Sequence, residues 1–181
     1  MGKKYPEIDE KQQAFIERQK IFFVATAPSG GRINLSPKDT ASLRVLGKNR
    51  VLWLNLTGSG NETAAHLLED DRMTLMFCAF EGPPKILRLY GHARSIHPRD
   101  DAWNELLSHF SATAGARQLI EMDVDLVHTS CGFGVPLFDF AGERDELRNW
   151  IEKKGEAGIA RYWEERNAVS LDGKPTGIFD Q

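Results

Sequence analysis

The sequence predicts a mainly β fold of the α+β class, a small closed or split barrel of about six strands with a few peripheral helices. Residues 120–126 alternate between apolar and acidic side chains, which is typical of a strand with one buried face. Residues 73–80 are continuously apolar, as in a strand covered on both faces. Glycine and proline interrupt the chain at residues 28–31 and 82–84, where hairpin turns are expected. A helix does not follow nearly every strand, so a doubly wound parallel sheet is excluded.

The first part of the chain predicts a helix and then a hairpin. Residues 8–20 carry their apolar side chains on one helical face, which favours an amphipathic helix. The apolar residues 21–26 predict a buried strand. Its antiparallel partner is expected at residues 32–35, after the turn, and ends at Pro37.

The central part predicts three further strands and one short helix. Residues 51–57 place three leucines on one face and polar or aromatic side chains on the other, which predicts a half-buried strand. A glycine-rich turn then leads into a short helix at residues 60–69. Residues 73–80 and 85–96 follow as two strands on either side of the glycine–proline break.

The last part predicts one strand and three helices. Pro98 is expected to open a helix at its first position, which proline favours. Residues 118–127 form the sixth predicted strand. Two helices are expected at residues 143–154 and 156–167, with Gly155 between them as a C-terminal cap.

Composition limits the classes of partner. The chain of 181 residues is long enough to bury its own core, so residues 1–181 are interpreted as one domain with a C-terminal helical extension at about 142–181. The net charge of −3 argues against nucleic acid or an anionic membrane as the main partner. No apolar run reaches the roughly 18 residues of a membrane span, and no apolar signal segment follows the N-terminus, so a cytoplasmic protein is expected. Cys78 and Cys131 lie far apart, as free thiols in a reducing compartment do.

The turn at residues 58–60 is the first candidate site. The strand before it and the helix after it leave the first backbone N–H groups of the helix without partners, and a phosphate or carboxylate is their usual ligand. Ser59 and Glu62 also fit a capping box, which would satisfy the same donors internally. Both interpretations stay open on the sequence alone.

Other candidates for chemistry are isolated residues. Arg88 lies in an otherwise apolar strand and requires an anionic partner, either an internal carboxylate or a ligand phosphate. Lys38 follows a proline at a strand end. The five histidines have no metal-ligand spacing, so no metal site is predicted. Cys131, between Ser130 and Gly132, has no activating base beside it in the sequence, although a nucleophilic role stays open.

These features together resemble the pyridoxamine 5′-phosphate oxidase-like family of FMN-binding split barrels. The resemblance is carried by residues 36–38 at the end of a hairpin, Thr57 at a strand end, Thr63 in the next helix, and the sequence at residues 88–91. It covers roughly residues 8–127. Two C-terminal segments resemble a subgroup of the same family, at residues 130–136 and 167–173.

The resemblance implies a six-stranded FMN-binding split barrel, and a homodimer with two FMN molecules at the subunit interface. It also implies an oxidoreductase that acts on a small-molecule substrate or electron acceptor. In the family, the strand that ends at Lys38 here contacts the flavin ring and ribityl chain, and the flavin phosphate lies at the start of the later helix. The cofactor-binding residues expected on this basis are Asn34, Leu35, Ser36, Lys38, Leu56, Thr57, Asn61, Thr63 and Arg88. No catalytic residue is predicted.

The chain departs from the family pattern at two places. Glu62 and Thr63 stand where the family has an Arg-Lys pair that clamps the phosphate, and Ile86 matches a family glutamine near the ring. FMN would then be held by Thr63, Asn61, backbone amides and an arginine from elsewhere, or the pocket holds another ligand. Haem or another planar cofactor on the same barrel is the first alternative, and a ligand-free structural dimer is the second.

Overall fold

The computed structural model describes residues 2–111 and 114–180, and its main element is one curled antiparallel sheet of eight strands. The predicted mainly β split barrel with peripheral helices is confirmed. The strands run along the chain as β1 (Lys3–Tyr5), β2 (Ile21–Thr26), β3 (Asn34–Asp39), β4 (Leu43–Gly47), β5 (Arg50–Leu56), β6 (Arg72–Cys78), β7 (Ile86–Ile96) and β8 (Ala116–Ser130). In the sheet they follow the order β3-β2-β6-β7-β8-β5-β4, and β1 pairs with β8.

The predicted number of six strands was wrong, because β1 and β4 were not expected. The three residues of β1 include two lysines, so they carry no apolar period, yet they pair with residues 127–129 of β8. Strand β4 has Arg44 within a short apolar stretch and pairs with β5 through an irregular register near Gly47. Both strands therefore form because they pair with a longer strand, rather than because of the apolar pattern of their own residues.

Strand β8 is the longest element of the sheet and hydrogen-bonds to three others. It pairs with β7 from Ile86 to Ile96 and with β5 from Arg50 to Leu56. The register with β7 shifts between Tyr90 and Gly91. A Cβ atom on Gly91 would lie 1.9 Å from the carbonyl oxygen of Asp123, so only glycine allows this close approach.

The two faces of the sheet bury different clusters. One cluster, inside the curl, contains Phe22, Trp53 and Phe77, and the Phe22 ring stacks on Phe77 and meets Trp53 edge to face. The other cluster contains Leu52 and Leu54. The alternation predicted for residues 51–57 is therefore confirmed, with leucine and tryptophan facing opposite sides.

In the described residues, four α-helices lie around the sheet: α1 (Glu10–Arg18), α2 (Glu62–Leu67), α3 (Trp103–Leu107) and α4 (Glu146–Arg166). A capping box between Asp9 and Gln12 starts α1. The prediction that Pro98 opens a helix was wrong: Asp100 accepts the His97 N–H and shapes a turn instead, and α3 begins at Trp103. Gly155, with φ of 63°, divides α4 as predicted.

The C-terminal part of the chain contains two further features. Residues 131–145 have no regular structure and expose several large apolar side chains, namely Phe133, Leu137, Phe138 and Phe140. Residues 167–178, here called the C-terminal strap, return to the barrel and bury Asn167 and Thr176. Within the described ranges, no helix has the length and apolarity that crossing a bilayer requires.

Candidate functional site

A large groove of about 2160 Å³ lies between the barrel and the first half of α4. Its barrel wall includes Lys38 and Leu56, two of the predicted site residues, together with Arg44 and Phe110. Its other wall includes Arg148 of α4. This volume exceeds the roughly 300–1,000 Å³ of a typical small-molecule pocket, so it has room for a cofactor beside a substrate or a partner chain.

Lys38 is the most perturbed group of the groove. Its amine lies 5.2 Å from the centre of the Trp53 ring, and it makes no ion pair in the described part of the chain. Burial, and after it the positive charge of Arg117, lowers the pKa of Lys38 to about 8, while Asp39 acts in the opposite direction. The positive charge of Lys38 in the groove is therefore only weakly stabilised by water or by acidic side chains.

The predicted residues of β3 lie on an open edge. Strand β3 pairs with β2 on one side and ends the sheet order on the other. Leu35 is 63% exposed, and Ile33, just before the strand, is 77% exposed. An exposed apolar edge strand is a surface that a further chain can cover.

The structure brings the beginning of β3 and the beginning of α2 together. The Asn34 side-chain amide donates to the Thr63 hydroxyl at 3.3 Å, although the two residues are 29 positions apart. Asn61 precedes Thr63 by two residues. Its side-chain oxygen accepts a hydrogen bond from the Gln118 amide at 3.0 Å, and its side-chain N–H donates to the Asn167 carbonyl oxygen at 3.4 Å. Three predicted site residues, Asn34, Asn61 and Thr63, thus lie together where the glycine-rich turn leads into α2.

Thr57, just before the turn, is hydrogen-bonded to two distant parts of the chain. Its hydroxyl donates to the Gly115 carbonyl oxygen at 2.9 Å and accepts the indole N–H of Trp163 at 2.8 Å. The residue is fully buried. The O–H donor and one of the two acceptor positions of the hydroxyl are therefore used by the protein itself.

The capping box of Ser59 and Glu62, one of the two interpretations left open by the sequence, is not formed. Asn61 is the N-cap residue of α2 and makes no side-chain capping bond. The Glu62 carboxylate instead accepts the backbone N–H of Leu171, at 3.0 and 3.1 Å to its two oxygens. The carboxylate therefore binds a backbone N–H of the C-terminal strap, 109 residues away in the sequence, instead of a group at the start of its own helix.

Arg88 lies apart from the turn and the groove. Its guanidinium donates to the Ser130 hydroxyl at 3.3 Å. No carboxylate forms an ion pair with it in the portion of the chain that the structure describes, so the internal salt bridge considered for Arg88 is not formed there. The ligand interpretation of Arg88 stays a prediction.

Arg117, Trp163 and Asn167 contact the turn and were not predicted. Arg117 donates from Nη1 to the Gly60 carbonyl oxygen at 2.9 Å, and Asn167 donates from Nδ2 to the Gly58 carbonyl oxygen at 3.1 Å. A basic residue at the start of a strand is normally interpreted as a solvated one, and nothing in the local sequence of the strap indicates where it docks. The only sequence signal is the need for a cation to replace the family's Arg-Lys pair.

The turn has the donors that a phosphate requires, without cations of its own. In residues 2–111 and 114–180, no protein acceptor takes the backbone N–H groups of residues 59–63. The Thr63 hydroxyl and Asn61 amide lie beside them. No lysine or arginine occurs in residues 58–67, and the one carboxylate there, on Glu62, is held by the strap. These residues fit a phosphate that is bound mainly through backbone amides.

Comparisons with known proteins give one family. A family model described as pyridoxamine 5′-phosphate oxidase matches residues 8–131. The pyridoxamine 5′-phosphate oxidase family protein ustO of Aspergillus flavus is 35% identical over an alignment that covers 94% of this chain and 76% of that protein.

Solved structures share the fold at low sequence identity. A variant of HupZ from Group A Streptococcus has a TM-score of 0.55 at 17% identity, and the match covers 68% of this chain and 99% of that one. An FMN-binding protein from Syntrophomonas wolfei has a TM-score of 0.51 at 12% identity over 72% and 87% of the two chains. HutZ, a haem storage protein from Vibrio cholerae, has a TM-score of 0.50 at 15% identity over 66% and 92%.

Proposed function

Because the chain belongs to the pyridoxamine 5′-phosphate oxidase family, we propose that it is a homodimeric, FMN-binding oxidoreductase of the cytoplasm with a small-molecule substrate. The observation that carries this proposal is the contact between Asn34 and Thr63, which joins the two segments expected to hold the cofactor. Beside that contact lie the backbone N–H groups that no protein acceptor takes in the described residues. The FMN-binding structure from Syntrophomonas wolfei shares the fold and is compatible with this assignment.

The chain's residues have distinct roles in this proposal. Residues 59–63, with the hydroxyl of Thr63 and the amide of Asn61, bind the phosphate group. Asn34, Leu35 and Ser36 follow the ribityl chain along β3, and Leu56 packs against the cofactor from the groove. The flavin, when bound, supplies the two-electron chemistry. Lys38 holds a positive charge beside the ring and stabilises negative charge there.

The open edge of β3 supports the proposed dimer. Leu35 of β3 and Ile33, just before it, are exposed apolar side chains, and β3 has β2 as its only neighbour among the described strands. A second copy of the chain would cover them. Light scattering at micromolar concentration is expected to give the mass of two 20.4 kDa chains. A monomer mass would contradict the dimer and the interfacial cofactor site together.

Haem in the same groove is the second candidate, favoured by the fold shared with HutZ and by a groove larger than a flavin needs. The side chains that line the groove argue against haem, because none of the described lining residues is His, Cys, Met or Tyr. A haem iron would then have no side-chain axial ligand from this groove. FMN is therefore the better-supported ligand.

The absorption spectrum of the freshly purified protein tests the proposal. Flavin gives bands at about 370 and 450 nm, and haem gives one intense Soret band instead. We expect flavin bands, and mass spectrometry of the released ligand should identify FMN. If the protein shows neither flavin band and does not bind added FMN, the proposed function is wrong.

A further inference from the structure

The barrel side of the groove carries positive charges that no carboxylate balances. The basic residues that line this side are Lys11, Arg18, Lys20, Lys38, Arg44 and Lys85. None of them forms an ion pair within residues 2–111 and 114–180. On the opposite wall, by contrast, Arg148 pairs with Asp145 at 3.3 Å. The unbalanced charge of the groove therefore lies on its barrel side.

The lysines of this side are held against aromatic rings. The Lys85 amine lies 4.4 Å from the centre of the Phe15 ring, the Lys20 amine lies 5.3 Å from that of Phe140, and Lys38 lies over a ring as well. A cation over an aromatic face keeps its N–H donors free, and none of the three amines donates a hydrogen bond in the described residues. These donors are therefore available to an anion in the groove.

Lys85 and Arg18 concentrate positive charge at the end of the groove beside α1. Burial lowers the pKa of Lys85, Asp9 acts in the opposite direction, and the positive charge of Arg18 lowers it further. The Asp9 carboxylate accepts the backbone N–H of Gln12 at 2.7 Å, so it already serves the start of α1. None of the acidic residues that line the groove forms an ion pair with Lys85 in the described part of the chain.

Aromatic side chains line the same end of the groove. Phe138 and Phe140 are 59% and 44% exposed although they face the groove. The Phe138 ring lies 5.5 Å from the Phe80 ring, and Ala79, next to Phe80, donates its N–H to the Lys85 carbonyl oxygen at 2.9 Å. An apolar wall beside free cations suits a ligand that has an apolar body and an anionic group.

The position of α1 favours a single negative charge on that ligand. Helix α1 ends at Arg18, and the residues that follow it, Gln19 and Lys20, also line the groove. The C-terminal end of a helix carries a partial negative charge and presents carbonyl groups rather than N–H groups. A phosphate dianion is usually bound by several backbone N–H groups, which this end of α1 does not provide. A carboxylate needs less positive charge and is the better fit.

We propose that the groove binds an organic acid as the substrate, with its carboxylate at Lys85 and Arg18 and its apolar body against Phe138 and Phe140. The identification of this ligand as the substrate rests on the proposed function. None of residues 57–63 lines the groove, so the acid subsite is distinct from the turn. Lys85 is the residue that determines specificity for the acid.

Phenylbutyrate and phenylbutyramide test the inference, because they share one apolar body and differ in the charge of the head group. Calorimetric titration should show that wild type binds the acid about 10-fold more tightly than the amide, and that Lys85→Met loses this preference. Lys154→Met is the matched control. Lys154 also lies over an aromatic ring, 5.7 Å from the centre of Trp150, and forms no ion pair in the described residues, but it does not line the groove. Its loss should leave the preference intact.

Three results would overturn the inference. One is a wild type that does not distinguish the acid from the amide, and another is a Lys85→Met variant that distinguishes them as well as wild type does. If Lys85→Met does not fold, Lys85→Gln takes its place with the same criterion. The third is phenethyl phosphate, a dianion with a similar body, binding more tightly than phenylbutyrate, because the groove would then select phosphate esters.

The same titrations separate this inference from the proposed function, since they are made on flavin-free and flavin-loaded protein alike. If the protein binds no flavin but prefers the acid through Lys85, the proposed function fails and the acid subsite stands. If the protein binds FMN but shows no preference for the acid in either form, the inference fails and the proposed function stands.

Discussion

The two ends of the candidate site are built differently. At the turn end, residues 57–63, polar side chains such as Thr57 and Asn61 are buried and hydrogen-bonded to the C-terminal part of the chain. At the groove end, Lys38 faces an open cavity of about 2160 Å³ and makes no ion pair within the described residues. The side chains of the turn end bond mainly to the protein itself, although Arg117 Nε, Gln118 Oε1 and Asn167 Oδ1 beside them have no partner among the described residues. At the groove end the Lys38 charge has no paired carboxylate among those residues.

This difference separates stability from binding. The buried hydrogen bonds that the turn end does make, such as the two of the Thr57 hydroxyl, contribute to the free energy of unfolding. The desolvated charge at the groove end opposes folding and is retained for interaction with a ligand, as at many functional sites. Each of the following changes alters one end and leaves the other intact.

The largest effect is expected from removing the C-terminal strap by ending the chain after Arg166. The turn end would lose its contacts with Asn167 and with the N–H of Leu171. We expect a loss of about 3 kcal/mol, or a melting temperature lower by roughly 6–12 °C, from several buried hydrogen bonds at about 1 kcal/mol each. Thermal unfolding followed by circular dichroism measures this. Leu171→Ser is the control, because that side chain is 76% exposed and should shift melting little.

Next in size is Thr63→Ala, which removes one hydroxyl donor at the turn end. FMN binding should weaken by about 1–2 kcal/mol, the value of one hydrogen bond to a charged group. Quenching of FMN fluorescence on titration measures the affinity, and Thr63→Ser should retain it. An unchanged affinity for Thr63→Ala would place the phosphate away from this hydroxyl.

Lys38→Met tests the groove end. The pKa of Lys38 is about 8 in the folded protein and ordinarily 10.5, so the unfolded chain binds the proton more tightly and folding is penalised below pH 8. Without ligand, the variant should be more stable than wild type by about 1 kcal/mol at pH 7. The gap should close as the pH rises from 8 toward 10.5, because wild type then gains stability. Urea unfolding at about pH 7 and about pH 10 measures both values, and a gap that grows with pH would contradict the assignment.

The smallest effect is expected from Trp163→Phe, which removes the indole N–H that donates to Thr57. The Thr57 hydroxyl keeps its bond to the Gly115 carbonyl, so the loss should be about 0.5–1 kcal/mol. Urea unfolding should show it without any change in riboflavin affinity. A weaker affinity for riboflavin would mean that the two ends are coupled.

Elements with a strong local pattern could be predicted from the sequence. The alternation in β5 and β8 and the kink at Gly155 depend on neighbouring residues, and the structure confirms them. The family assignment from the motifs at residues 36–38 and 88–91 is also confirmed. Strand β1 could not be predicted, because three residues gain their structure only from pairing with β8.

The turn end was the least predictable part of the site. The sequence around Glu62 favours a capping box, but a backbone N–H from Leu171 takes the carboxylate. Arg117 is separated from Gly60 by 57 positions, yet it is buried and donates to the Gly60 carbonyl oxygen. A local sequence pattern carries no information about which distant residue takes a given hydrogen-bonding group.

The central position of β8 has a consequence for the protein while the ribosome is making it. Strands β3, β2, β6 and β7 form one part of the sheet and β5 and β4 another, and among the described strands only β8 joins them. Until residue 130 has been translated, β5 and β7 each keep an edge without its final partner. At about 5–20 residues per second, the 15 residues of β8 take roughly 1–3 s to appear. During that interval we expect the nascent chain to depend on chaperones, and synonymous codons that slow translation within β8 should lower the yield of folded protein.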